Sequence, residues 1–220
     1  MSTYVNGVAK RHGQVSQEMF PEYLIDSITN GIHSVTWTSP SFLRLYDRHI
    51  PGWRTDPFAL RHAISIPTQD IWPAHVAAKT RLLEEVRTRT SLPFRDGVLT
   101  IGFARRATQY KRADLVLSAP HELVDIAKTV GPLQIIFAGK AHPKDEPGKD
   151  TIRCVVQIAR ELKQDMLIAY LDNYDFALAK LLTSGVDLWL NTPLRPLEAS
   201  GISGMKAAHN GVPIFSLLAG

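Results

Sequence analysis

The 220 residues carry a net charge of +4, with 45% hydrophobic and 21% charged residues, which describes a globular chain of one large domain or one domain with an appended subdomain, and excludes a disordered one. No apolar run of about 18 residues is present to cross a bilayer. The opening Met1-Ser-Thr-Tyr-Val-Asn lacks the charged and apolar regions of an export signal, and the lone Cys154 has no disulfide partner; both fit a cytoplasmic protein with no membrane contact.

In chain order, residues 1–97 read as a helical lead-in. A helix is expected near Asn6 to Phe20, then a loop through Thr29-Asn-Gly-Ile-His33, a stretch rich in Pro and Trp, and a longer helix over Ile71 to Arg89. No strand alternation shows here, and the segment is expected to pack on the remainder of the chain. From residue 98 to 220 the pattern changes. Apolar, β-branched runs at Val98 to Ala104, Leu133 to Gly139, Met166 to Leu171, Val186 to Leu190 and Val212 to Leu217 alternate with helical stretches. That alternation predicts an α/β fold, a Rossmann-like parallel sheet with crossover helices. Leu115, Leu117, Leu123, Ile126 and Val130 can share one helix face, as can Ile152, Val155, Val156, Ile158 and Ala159. Cys154, in the second of these helices, reads as a small core or boundary residue.

Such sheets bind ligands beyond the carboxyl ends of their strands. Four loops should therefore meet in one crevice: Arg105 to Arg112, Gly139 to His142, Asn173 to Asp175 and Asn191 to Lys206. Arg105, Arg106, Lys111 and Arg112 form a basic cluster suited to phosphate, or else a solvated basic turn. Its residues are not interleaved with exposed aromatics, which argues against nucleic acid. Eight histidines without an i, i+4 pair and a single cysteine argue against a metal site. The segment Glu198-Ala-Ser-Gly-Ile-Ser-Gly-Met-Lys206 follows an apolar strand with a glycine-spaced turn and a helix start. Backbone N–H groups there can cradle a phosphate, and the Lys206 amine beside them suits a phosphorylated aldehyde cofactor. The plainer alternative is a helix start capped by Ser200 or Ser203, with Lys206 solvated.

Six stretches in order give the chain a wider likeness: Val5-Asn-Gly-Val-Ala-Lys10, Ile28-Thr-Asn-Gly-Ile32 with Trp37, Gly102-Phe-Ala-Arg-Arg106 leading to Tyr110-Lys-Arg112, Phe137-Ala-Gly-Lys-Ala-His142, Asp172-Asn-Tyr174, and Glu198 to Lys206. Together they resemble the α-glucan phosphorylases of glycogen, starch and maltodextrin, in the shorter bacterial and archaeal branch. The resemblance implies the carboxyl-terminal half of a two-domain glycosyltransferase of the GT-B type, using pyridoxal 5′-phosphate to move a glucosyl unit between an α-1,4-glucan and phosphate, giving glucose 1-phosphate. By the same resemblance Lys206 forms the Schiff base with the cofactor, Ser203, Gly204 and Arg105 lie at its phosphate, and Trp37 and Tyr174 pack around it. Arg106 and Lys111 hold substrate phosphate. Glu198, Ser200, Gly201 and Asn30 contact the sugar, and Tyr110 sits where sugar and phosphate meet. A homodimer of the full-length enzyme is left open.

Several residues depart from the family pattern. Ile202 replaces a threonine at the cofactor phosphate, Ala107-Thr-Gln109 and Leu194 differ from the usual residues, His209 replaces an apolar one, and Ala219 stands where an aspartate is usual. The family also carries a further domain before residue 1, so the resemblance implies that this chain alone is inactive. Two other readings stay open: a nucleotide-sugar glycosyltransferase like glycogen or starch synthase, which has no use for Lys206, and a non-catalytic remnant that binds phosphate or glucan.

Overall fold

The computed structural model describes residues 2–217, so Ala219 lies outside the described residues. A five-stranded parallel sheet forms the centre: β3 (Leu99–Ala104), β4 (Leu133–Ala138), β5 (Leu167–Leu171), β6 (Leu188–Asn191) and β7 (Ile214–Ser216), in the order β5-β4-β3-β6-β7. The α/β fold with parallel strands and crossover helices is the one expected, and the strand boundaries differ from expectation by one or two residues. Successive strands step outward from β3 to β5, then return to β6 on the other side of β3. The switch point thus falls between β3 and β6, and open α/β sheets bind ligands outside the carboxyl ends of the strands at such a point.

Two apolar layers cover the sheet. On one, Phe103, Leu117, Val124, Ile135, Phe137 and Val155 join the strands to α5 (Pro120–Thr129) and α6 (Glu146–Glu161). On the other, Leu82, Leu83 and Val86 of α4 (Thr68–Thr90) pack with Ile136, Leu178, Leu182 and Trp189, so α4 roofs the sheet beside α7 (Phe176–Gly185). A polar staple reinforces that roof at the opposite end of the sheet from the crevice. Asp187 accepts from Lys79 Nζ at 2.5 Å, His75 Nε2 at 2.7 Å and the Thr100 backbone N–H at 2.7 Å. Burial pushes the Asp187 carboxyl up, yet the bonds from His75, Lys79 and Thr100 outweigh it and hold the group below its ordinary range.

Three local expectations are corrected. The lead-in does contain strands, β1 (Val5–Gly7) and β2 (Ile25–Ser27), paired in parallel. At three residues each they are too short to show alternation. The first helix, α1 (Lys10–Met19), therefore starts later than expected, and Gly7 lets it sit directly on β1, because a Cβ there would come within 2.5 Å of the Gly13 nitrogen. The face from Leu115 to Val130 is broken: Leu115–Leu117 is a 3-10 turn, α5 opens with Pro120 at its first position, and Ile126 and Val130 are exposed. Cys154 is exposed, where it lines a surface groove of about 800 Å³ with Tyr110, Leu194 and Leu197. The remaining lead-in helices are α2 (Ser34–Trp37), α3 (Pro40–His49) and a 3-10 helix over Pro57–Ser65, with α3 packed against Trp53 and Ile66 in a small core of its own.

Candidate active site

Arg105 is the first residue beyond β3, and its loop is pinned along β4. The Arg105 N–H donates to Ala138 O and the Ala107 N–H to Lys140 O, each at 3.1 Å. Two glycines make this approach feasible. A Cβ at Gly139 would lie 2.0 Å from Arg105 O, and one at Gly148 would lie 2.0 Å from Ala107 O. The chain then turns through a 3-10 segment, Gln109–Lys111, and Arg112 takes a left-handed conformation with φ 51°. That turn aims the Arg112 Nε–H at Thr192 O, 2.8 Å away, while the Leu194 N–H donates to Tyr110 O at 2.7 Å. The loop after β3 is thereby fastened to the loop after β6.

The fastening brings three buried charges together. Arg105, Lys111 and Glu198 are 8%, 6% and 7% exposed. Arg105 Nη2 lies 3.0 Å from Glu198 Oε1, and Lys111 Nζ donates to Glu198 Oε2. One carboxylate thus faces two cations and the cluster keeps a net positive charge. Burial pushes the Glu198 carboxyl up, but the bond from Lys111 and the charges of Arg105 and Lys111 together hold it below the usual carboxylate range.

Gly201, with φ 67°, turns the chain into α8 (Ile202–Ala208). Neither Ser200 nor Ser203 caps this helix; both hydroxyls are buried with no hydrogen-bond partner, as are Arg105 Nη1, Thr108 Oγ1 and Asn191 Oδ1. Five orphaned polar atoms along the ends of β3 and β6 are costly unless a polar ligand completes them. Lys206 is half-buried instead of freely solvated. Its Nζ sits 3.5 Å from the centroid of the Trp37 ring, which in turn lies 4.8 Å from that of Phe176 at the start of α7. Burial pushes the Lys206 amine below its ordinary value.

The remaining expected site residues divide. Tyr174 is half-buried near Arg105, whose charge opposes the rise that burial imposes on its hydroxyl. Tyr110 places its ring 4.6 Å from Lys111 Nζ. Gly204 is buried against Ile214. Arg106 is exposed, and so is Asn30, which is held only by its backbone N–H to Val8 O. Sequence reasoning placed Thr108 and Asn191 in the crevice loops without giving them a role and passed over Asn210; the Asn210-Gly211 pair ending α8 was the available signal, and reads first as a helix stop. Among the described residues no cluster of His, Cys, Asp or Glu has the arrangement of a metal site.

A family model described as carbohydrate phosphorylase matches residues 1–220. The chain belongs to that family. It is 40% identical to the glycogen phosphorylase of Aquifex aeolicus, aligned over 100% of this chain and 36% of the relative, and 39% identical to the maltodextrin phosphorylase of Thermococcus litoralis, over 100% and 30%. The glycogen phosphorylase of Mycobacterium tuberculosis is 38% identical over 94% of this chain and 27% of its own length. The chain thus spans about a third of the length of the relatives it matches.

Within this phosphorylase domain the departures have distinct places. Ile202 is the first residue of α8 and adds no hydroxyl to the buried ones of Ser200 and Ser203. His209 puts Nε2 3.0 Å from Ser34 Oγ and Nδ1 3.1 Å from Met205 O, so the polar replacement binds the lead-in to α8. Leu194 is exposed and contributes its backbone N–H.

Proposed function

We propose that this chain is the cofactor- and phosphate-binding half of an α-glucan phosphorylase that reversibly transfers a glucosyl unit from an α-1,4-glucan to phosphate, giving glucose 1-phosphate. The observation that carries the reading is the buried Arg105–Glu198–Lys111 cluster beside the orphaned Ser200, Ser203 and Arg105 groups. Hydroxyl and guanidinium groups lacking partners in a positive crevice match the oxygens of a phosphate, so the residues fit pyridoxal 5′-phosphate. In this reading residues 98–220 form the binding domain and residues 1–97 the lead-in that braces it, acting in the cytoplasm, with a homodimer the assembly to test for in the full-length enzyme.

Bound pyridoxal 5′-phosphate would supply a second phosphate able to exchange a proton with the substrate's. The protein's own part is positioning. Lys206 would hold the cofactor covalently, with Trp37 and Tyr174 to pack around it and Ser203, Gly204 and Arg105 to receive its phosphate. Two phosphates placed close together repel strongly, and Arg105, Arg106 and Lys111 offset that repulsion. Glu198 occupies two of these cations, so it holds them in place and frees one net charge for anions, while Ser200, Gly201, Asn30 and Tyr110 face sugar and phosphate. No opposed carboxylate pair is required, since substrate phosphate both protonates the glycosidic oxygen and attacks the anomeric carbon.

Incubation with pyridoxal 5′-phosphate, borohydride reduction and peptide mass analysis test this. A pyridoxyl group on Lys206, absent from Lys206→Ala, is the expected result. A label absent from Lys206, or tight nucleotide-sugar binding without any label, overturns the reading.

A further inference from the structure

Asn210 is 0% exposed and lies two residues beyond the end of α8. Its side chain uses both amide N–H donors and its carbonyl oxygen to bridge two segments. Nδ2 donates to Trp37 O at 2.8 Å and to Lys206 O at 2.9 Å, and Oδ1 accepts from the Ser39 N–H at 2.7 Å. A primary amide is the short side chain with two donors and an acceptor on one rigid plane. The two carbonyls it joins belong to the residues whose side chains meet as ammonium and indole, although Trp37 stands 173 positions from Asn210.

We propose that Asn210 is a positioning residue for Lys206, fixing the backbones of Lys206 and Trp37 so that the amine stays against the indole and partly shielded from bulk water. Burial is the cause of the amine's lowered pKa, so loosening the clamp admits water and raises it. Neighbouring titratable groups are engaged elsewhere: His209 with Ser34 and Met205 O, the Tyr46 hydroxyl with His209 O at 2.9 Å, and Lys180 over the Phe176 ring. The Tyr46 bond also docks the lead-in on α8, yet touches neither Trp37 nor Lys206. That makes Tyr46→Phe a control for docking alone.

The role in catalysis rests on the proposed assignment of Lys206 as the cofactor's lysine, whereas the clamp itself is tested without any cofactor. Pulsed acetylation of the 220-residue chain across pH, read by peptide mass, gives a midpoint for Lys206. In the wild type it lies below that of the exposed lysines. Asn210→Ala raises it by about half a unit, close to a threefold change in the free amine at fixed pH, and Tyr46→Phe leaves it in place. An unmoved midpoint in folded Asn210→Ala, or an equal rise in Tyr46→Phe, overturns the proposal. Should Asn210→Ala fail to fold, Asn210→Ser, which keeps one donor and one acceptor, is expected to show a smaller rise, and no rise counts against the clamp. In a second arm, limiting pyridoxal 5′-phosphate and borohydride trap several-fold less pyridoxyl on Lys206 in Asn210→Ala than in Tyr46→Phe. If the wild type traps none, the cofactor assignment fails and the acetylation midpoints still decide the clamp.

Discussion

Glu198 shows what a single residue does in this crevice. From the family likeness it is expected to contact sugar hydroxyls; in the structure its carboxylate is committed to Arg105 and Lys111. Removing its charge leaves two cations buried without a counter-ion, and breaking such a pair costs about 3 kcal/mol or more. Glu198→Gln is therefore expected to lower urea-unfolding stability by that amount near neutral pH. The pH dependence comes from the direction of its pKa. A carboxyl held below its unfolded value contributes stability above that value and loses it as pH falls through the folded one. Wild-type stability should decline on acidification below the ordinary carboxylate range, and the decline should be shallower in Glu198→Gln. Equal slopes in the two proteins would count against the buried cluster.

At the scale of elements, the sheet's strands were legible because each is an apolar, β-branched run bounded by turn residues, and only its ends shifted. β1 and β2 were not, since Val5-Asn-Gly7 and Ile25-Asp-Ser27 are too short for a period to register. The site was legible as loops converging beyond the strands, through the cations after β3 and the glycine-spaced turn before Lys206. Its pairings were not, because the bond from Lys111 to Glu198 spans 87 positions and the Asn210 clamp spans 173. The α4 staple was hidden for the same reason. A lone Asp187 between Val186 and Leu188, with His75 and Lys79 one helical turn apart, makes sense only once α4 packs on the sheet and brings both side chains to the start of β6. Asp187→Asn is expected to lower stability by about 3 kcal/mol by stranding Lys79, and Lys79→Met in the same chain to recover part of it; urea titration of both decides. If Asp187→Asn proves neutral, α4 is held by its apolar face alone.

At the scale of the molecule, the chain covers about a third of the relatives it matches, and Arg106 and Asn30 stand exposed. Phosphorolysis requires the reacting groups to be enclosed and water excluded. The 220-residue chain on its own is thus expected to bind cofactor yet release no glucose 1-phosphate from maltodextrin above a Lys206→Ala control; formation above that control would show that one side of the cleft suffices. The strand order carries a last consequence. Since β3 acquires its β6 neighbour only after two intervening strands and three crossovers, a chain emerging from the ribosome has Arg105 and Lys111 in water long before Glu198 exists to meet them. The proposed anion site is completed only after β6 has been made, so cofactor added during translation is expected to seat only on chains whose sixth strand has already docked.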